Sequence, residues 1–451
     1  MSTVDALPHP PLRELPGLFR RMFVDPVPVL EDLANRHGPN FSIGGGPVRM
    51  AVVGEPAAMR EMFAMSTDQF RWAHKFNLLG FIVGKESMLV SDGAAHKRRR
   101  SSVQGAFSRR RLNGWIPMIV ERTDAAINRV IADLGASSET VDLYGAGRSL
   151  LFELAVRSFF GERLAGRSVE LSELFRRSQD YIESPAARQI PHPFPGTKRA
   201  KVRQDRRAID AIIDEQIAHL RTKSSDDPLD VLASLVREGD LSDSEIRDQV
   251  VTLIGAGFDT TSASLAWMFW CISLEPGLWG RLRAEADTVF GPLDQPATAD
   301  AETPQRLDLA NRTMREALRL HPAAVVSPRE ATEDMVVGGY SIPKGTLLFW
   351  SAHLAGRDPS AWPDPLRFDP DRFVDPPAEA KALADIAWVP FGHGARNCIG
   401  FALAQMELTL IISRMAQRLD IAAESDQIPQ PIGMVVNRPT GGAHMKVRPR
   451  V

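Results

Sequence analysis

From residue 242 to residue 274 the chain holds helical spacing without a break, and no other feature constrains the fold as much. Ser242 and Glu245 form a Ser-x-x-Glu capping box at its start, and Pro276 lies just past its end. At roughly 1.5 Å per residue, a helix of this length spans about the width of the molecule. Its flanks, residues 250–254 and 265–272, are apolar nearly all round, which calls for burial rather than a surface stripe. A chain organised about such a helix is expected to be mainly α. Between the flanks lies Gly255-Ala256-Gly257-Phe258-Asp259-Thr260-Thr261, which puts two glycines and an acid where a core helix should avoid them. A local rule broken in a core points to a functional site.

The 451 residues show no internal repeat and no low-complexity linker, so one large unit over 1–451 is expected rather than several domains. Helical spacing recurs at about 55–63, 146–183, 198–222 and 400–419. Short apolar runs between turn residues predict a minor β portion at about 40–53, 336–350 and 433–447, the last as a strand pair. A Pro-rich break at 185–196 reads as a surface loop or a lid over a pocket. Basic and acidic residues nearly cancel, 54 against 56, which argues against a nucleic-acid binder and makes any electrostatic recognition local. Two cysteines, Cys271 and Cys398, cannot build a disulfide framework or a structural zinc site. Residues 1–22 lack the apolar core of a signal peptide, and 265–274 is too short for a membrane span, so a cytoplasmic protein without a membrane anchor is expected.

The most informative stretch is Phe391-Gly392-His393-Gly394-Ala395-Arg396-Asn397-Cys398-Ile399-Gly400. A glycine-rich loop here delivers one cysteine to the start of an apolar helix, where backbone N–H groups and the helix dipole favour the thiolate. Glycines at 392, 394 and 400 would let a flat cofactor approach the backbone. A lone thiolate suits an axial haem ligand. The pattern Phe-x-x-Gly-x-Arg-x-Cys-x-Gly resembles the haem-binding loop of the cytochrome P450 family. That resemblance implies a haem b ligated by Cys398, with Phe391 packed near the sulfur, Gly392 and Gly400 beside the ring, and Arg396 paired with a haem propionate. Cys271 has no such context and reads as core.

Other motifs follow in the family's order. Ala256 to Thr261 resembles its oxygen-activation stretch. Reducing dioxygen to water plus one inserted atom consumes two protons, so a hydroxyl and a carboxylate are required, and Thr260 and Asp259 are the expected pair. The plainer alternative has Thr260 bonding back to the carbonyl of Ala256 and Asp259 capping or pairing. The peroxide-using branch has an arginine and a proline here, and their absence favours dioxygen. Glu316 and Arg319 lie one turn apart, and the resemblance joins them to Arg372 in a structural charge network. His96 and Arg100, four apart, resemble the propionate clamp, although many members have Trp where this chain has His96. Arg329 sits at another propionate position. Outward-facing cations, expected to include Arg98, Arg99 and Arg109, would dock an acidic electron carrier.

The resemblance implies a soluble, bacterial-type haem-thiolate monooxygenase that inserts one atom of dioxygen into a lipophilic molecule by hydroxylation or epoxidation. With one haem domain over 451 residues, electrons would come from a separate ferredoxin or flavodoxin and its NAD(P)H-dependent reductase. The enzyme is expected to act as a monomer. By the same analogy, the substrate pocket draws on Trp72, Phe76, Leu79, Phe81, Leu253, Ala256, Ala323, Val325, Val326, Met434 and Val435. Two alternatives remain open at this point: a redox-neutral thiolate-haem isomerase or dehydratase, and a non-catalytic haem or lipid carrier.

Overall fold

The computed structural model describes residues 5–22, 26–46, 48–73, 79–134, 139–184, 189, 194–223, 229–433 and 435–450. Phe76, Met434 and most of the 185–196 break lie outside them. The long helix runs Asp243–Leu274, capped by the reciprocal Ser242 and Glu245 bonds that its sequence signals. Nearly every residue of its two flanks is buried. Polar groups are therefore tolerated on it only where another element answers them or where a cavity opens.

Helix Leu143–Ala165 packs along the central helix, and Asp308–Leu320, Phe401–Arg418 and Lys198–Thr222 complete its jacket. Helix Arg109–Leu134 lies against Phe401–Arg418. One continuous apolar core results, from Trp115 and Phe159 through Phe258 and Phe269 to Leu410. The described residues are 61% helical, with a minor sheet portion. No helix among the described residues is long and apolar enough to cross a membrane.

The largest sheet has five strands in the order Asn40–Gly45, Val48–Val53, Leu347–Trp350, Ser327–Ala331 and Phe70–Arg71. Its register sets Arg329 opposite Leu348 and Phe70 opposite Ala331, which brings residues 70–72 and 329 to one edge. Two expectations need correction. The helical run at 146–183 is two helices, Leu143–Ala165 and Ser168–Ile182, with a kink at Gly161, whose φ of +66° leaves the helical region. Residues 433–447 do not pair with themselves as one hairpin. Strand His444–Pro449 instead joins Leu419–Ala423 and Glu139–Asp142, while Arg438–Pro439 pairs with Pro431–Ile432. Met445 and Val447 point inward from the first of these, and the strands that cover them are remote in sequence.

Candidate functional site

The cysteine loop is closed by its own backbone. Cys398 N–H donates to Phe391 O at 2.8 Å, Asn397 N–H to Gly394 O at 3.1 Å and Gly392 N–H to Val389 O at 3.0 Å. Gly392 and Gly394 have φ of +67° and +72°, and a Cβ at the second would stand 3.0 Å from Phe63 O, so both positions demand glycine. Gly400 does not on this ground: its φ is −89°, and a Cβ there would make only ordinary contact with Phe107. Cys398 is open to solvent although the protein rings it closely, which places its sulfur in a concavity. Burial pushes the thiol up, and the Gly400 N–H and the Arg100 charge only partly oppose this. The expected preference for the thiolate therefore does not come from the helix start alone. Phe391 meets Trp388 and Phe401 with ring centroids 6.0 and 6.4 Å away.

On the central helix, Ala256 is exposed and Thr260 partly so, in the middle of an otherwise buried element. Four residues apart, they share one face, and that face borders open space. Thr260 Oγ1 donates to Ala256 O at 2.6 Å. That bond does not single Thr260 out, since Thr261 and Ser264 back-bond in the same way at 2.7 and 2.9 Å. Accessibility does. Asp259 is 1% exposed and pairs with Arg148 of the neighbouring helix at 3.1 Å. Burial pushes its carboxyl up, and the charges of Arg148 and Arg438 hold it back. Such a group can hold a proton more readily than a solvated aspartate. Arg148 was not legible as its partner, because it belongs to a different helix. Neither was Gln179, whose Nε2 donates to Gly255 O at 3.0 Å.

A second cluster is cationic. Arg396 stacks on Trp72, 3.9 Å from the ring centroid, and donates to Ser91 O at 2.6 Å and Asp92 at 3.3 Å. Arg329, only 5% exposed, lies over Phe63, Phe70 and Trp72 at 5.0 to 5.4 Å, and its Nε has no partner. Burial and the charge of Arg396 lower Arg329 to about 10. His96 is buried beside them and is lowered to about 3, first by burial and then by Arg396, Arg100 and Lys97. Asp92 is the one carboxylate paired with this cluster among the described residues, and it is also occupied by the N–H groups of Trp72 and Ala73. The cluster is short of anions. Trp72, expected in the substrate pocket, is placed here as a platform between cations.

Glu316 and Arg319 form a fully buried two-bond pair, 2.8 Å for each bond, and Arg372 Nε donates to the same carboxylate at 2.8 Å. Leu79 and Phe81 pack beside Tyr181, Ile182 and Val202, while Leu253 lies in the main core. Val325 and Val326 join a separate cluster with Val29 and Leu33. Ala323 O accepts the Asn437 N–H, and Val435 is exposed. One docking expectation needs correction. Arg99 does not face outward: its side chain is 12% exposed and is held by Glu245 at 3.0 Å and Ser91 at 2.6 Å. Arg98, though half-exposed, is also tied to Glu245, whose carboxyl these bonds pull down to about 2. The sequence marks Glu245 only as a helix cap. Arg109 is exposed.

The profile of the cytochrome P450 family matches residues 10–446. The chain belongs to the cytochrome P450 family. A Mycobacterium tuberculosis protein assigned there as cytochrome P450 139 is 32% identical over 421 residues, covering 91% of this chain and 95% of that one. Cyclooctat-9-en-7-ol 5-monooxygenase of Streptomyces melanosporofaciens is 29% identical over 398 residues, covering 85% and 82%. Among solved structures, the cytochrome P450DA heme domain superposes with a TM-score of 0.86 at 23% identity, covering 99% of this chain and 98% of that one. This P450 is therefore an oxygen-incorporating oxidoreductase with haem as its prosthetic group.

The residues present fit that group. An accessible cysteine sulfur suits iron, and buried cations short of anions suit two propionates. Arg329 provides a sharp test, because its charge costs the haem-free protein and rewards the haem-bound one. Arg329→Met is expected to stabilise the haem-free protein by about 1–2 kcal/mol. It is also expected to speed haem loss by roughly 30-fold, the factor equivalent to about 2 kcal/mol for one lost buried charge partner. Denaturant unfolding and haem transfer to a scavenger globin measure the two effects, and unchanged retention would exclude Arg329 from the propionate site. The sign with pH also follows. The folded value near 10 lies below that of the unfolded chain, so the penalty persists through neutral pH and fades as pH rises through 10.

Proposed function

We propose that this P450 oxygenates a lipophilic small molecule with Cys398 as the axial ligand, drawing electrons from a separate ferredoxin or flavodoxin and an NAD(P)H-dependent reductase. The observation that carries this reading is the pairing of an accessible cysteine sulfur with a buried cation cluster that is short of anions. Haem held there supplies dioxygen activation and one-oxygen insertion. The chain supplies everything around it. Arg396, Arg100, Arg329 and His96 hold the propionates, Phe391 covers the sulfur, the Gly400 N–H bonds it, and Gly392 keeps the loop tight. Ala256, having only a methyl group, leaves room on the helix face. Thr260 presents a hydroxyl at that face and Asp259 holds the proton that replenishes it, with Arg148 fixing the carboxylate.

A lipophilic substrate is supported by the cyclic alkenol that names the Streptomyces relative. Residues 1–451 would act as one haem unit, monomeric and cytoplasmic. Arg109 remains available for a carrier, with Lys97 and Arg110 also exposed.

The test is the spectrum of the purified protein, reduced and exposed to carbon monoxide, followed by turnover under isotopically labelled dioxygen with carriers supplied. A strongly red-shifted Soret band and one labelled oxygen in the product are expected. A carbon monoxide spectrum of the histidine-ligated type would overturn the ligand assignment, and product formed without NAD(P)H would point to the redox-neutral alternative.

A further inference from the structure

Arg199 uses one corner of its guanidinium and leaves one edge free. Its Nη1 donates to the Tyr181 hydroxyl at 2.9 Å and to Gln189 O at 3.2 Å, while Nε and Nη2 donate to nothing among the described residues. Those two nitrogens share an edge, and such an edge is a two-donor fork that matches a carboxylate. Stacking fixes the group: its Cζ lies 3.8 Å from the centroid of the Phe81 ring, which in turn meets the Tyr181 ring at 5.8 Å. Tyr181 is only 4% exposed, and its hydroxyl accepts from Arg199 but finds no acceptor for its own proton among the described residues. A buried hydroxyl ordinarily finds one. A free cationic edge and a free hydroxyl proton thus stand side by side.

The surroundings supply no anion for them. From residue 184 to residue 204 there is no Asp or Glu, whereas Arg188, Lys198, Arg199, Lys201 and Arg203 are basic. Lys201 has Asp205 at 3.7 Å, but Arg199 pairs with no carboxylate among the described residues. The other neighbours, Ile82, Ile182 and Val202, are apolar and stand apart from the main core. This group also adjoins the accessible face of the central helix. Gln179, on the same helix as Tyr181, donates to Gly255 O at 3.0 Å, and Gly255 immediately precedes the exposed Ala256.

We propose that Arg199, with Tyr181 beside it, binds a carboxylate of the substrate, so that the lipophilic molecule oxygenated here is an organic acid whose apolar body extends toward Ala256 and Thr260. The inference rests on the oxygenation reading above for the word substrate, though not for the binding of acids. A few well-placed polar groups in an apolar site fix a ligand's orientation, and a buried charge partner selects the acid over its neutral analogue.

The experiment is calorimetric titration of the purified holoenzyme with two acid–alcohol pairs, laurate with lauryl alcohol and abietate with abietinol. The proteins are the parent, Arg199→Gln, Arg199→Lys and Tyr181→Phe. At least one acid is expected to bind the parent about tenfold more tightly than its alcohol, the worth of one charge-assisted hydrogen bond. Arg199→Gln is expected to erase that preference by weakening the acid and leaving the alcohol nearly unchanged, and Arg199→Lys to restore part of it. Tyr181→Phe keeps the ring and its stacking, and should weaken the acid alone. If neither acid binds better than its alcohol, or if Arg199→Gln weakens acid and alcohol alike, the inference is overturned and Arg199 is only a brace for Phe81. The carbon monoxide spectrum of the same preparation reads the other assignment separately: a missing thiolate-type band would overturn the oxygenation reading, while the preference for acids is measured as heat and stands or falls by itself.

Discussion

Cys398→Ser is expected to abolish the red-shifted carbon monoxide band and to lower oxygenation by a factor of about a thousand or more, while leaving the haem-free fold intact. Serine offers a hard, weakly acidic oxygen in place of a polarisable sulfur, and the electron donation that favours O–O cleavage goes with it. No other thiol can substitute. Among the described residues there is no group of three or more His, Cys, Asp and Glu that could hold a metal ion. The other thiol, Cys271, is buried in the central helix, and burial pushes it far up. Folding should hardly register the change. The loop is closed through the backbone N–H of residue 398, which serine keeps, and accessible substitutions typically cost within about 0.5 kcal/mol. Absorption spectroscopy and denaturant unfolding on the same preparation check both halves. A variant that kept the band would exclude Cys398 as the ligand.

Glu316→Gln is expected to destabilise the fold by about 3–5 kcal/mol, a large share of the roughly 5–15 kcal/mol that holds a typical protein together. Glu316 Oε1 accepts from Arg319, Arg372 and the Asp369 N–H at 2.8 to 2.9 Å, and Oε2 accepts from Arg319 Nε at 2.8 Å. Glutamine has the same shape but no charge, and its amide nitrogen would turn donors against guanidinium donors. Arg319 would keep only neutral acceptors, the carbonyls of Gly356, Pro365 and Arg367 and the one remaining side-chain oxygen at 316, in a place water does not reach. Arg372→Leu should cost less, because it leaves the Glu316–Arg319 pair closed. Denaturant midpoints compare the two, and haem content on purification gives a second reading. A Glu316→Gln protein within 1 kcal/mol of the parent would remove the network as a structural support.

What the sequence disclosed follows the range of the interactions involved. The capping box of Ser242 and Glu245 is written within four residues, and the structure has it. The mainly helical class and the family were legible because the Cys398 loop and the central helix carry their constraints in contiguous residues. Arg372 was tied to Glu316 only through the resemblance, and the two meet in space. What stayed hidden depends on elements that meet from afar. Glu245 reads as a cap, yet it also captures Arg98 and Arg99 from 147 and 146 residues away, which turns a seemingly solvated charge run into an internal tie. Asp259 reads as a proton carrier, but nothing near it names Arg148. Trp72 reads as pocket lining because its apolar bulk is visible in the sequence and the two guanidiniums beside it are not.

The contact between Arg100 and Asn397 joins residues 297 apart, and this separation bears on how the protein is made. At roughly 5–20 residues per second, a ribosome needs about 15–60 s to pass from the first of these residues to the second. For that interval Arg100, His96 and Trp72 exist with no Arg396, no Asn397 and no Cys398, and the strand bearing Arg329 arrives only late in it. One rim of the proposed haem site thus waits as a nascent, cation-rich surface that cannot bury itself. Loading with haem must then be an event of the finished or nearly finished chain, and a cell that makes this enzyme faster than it supplies porphyrin would accumulate a full-length apoprotein whose buried arginines still lack their anions.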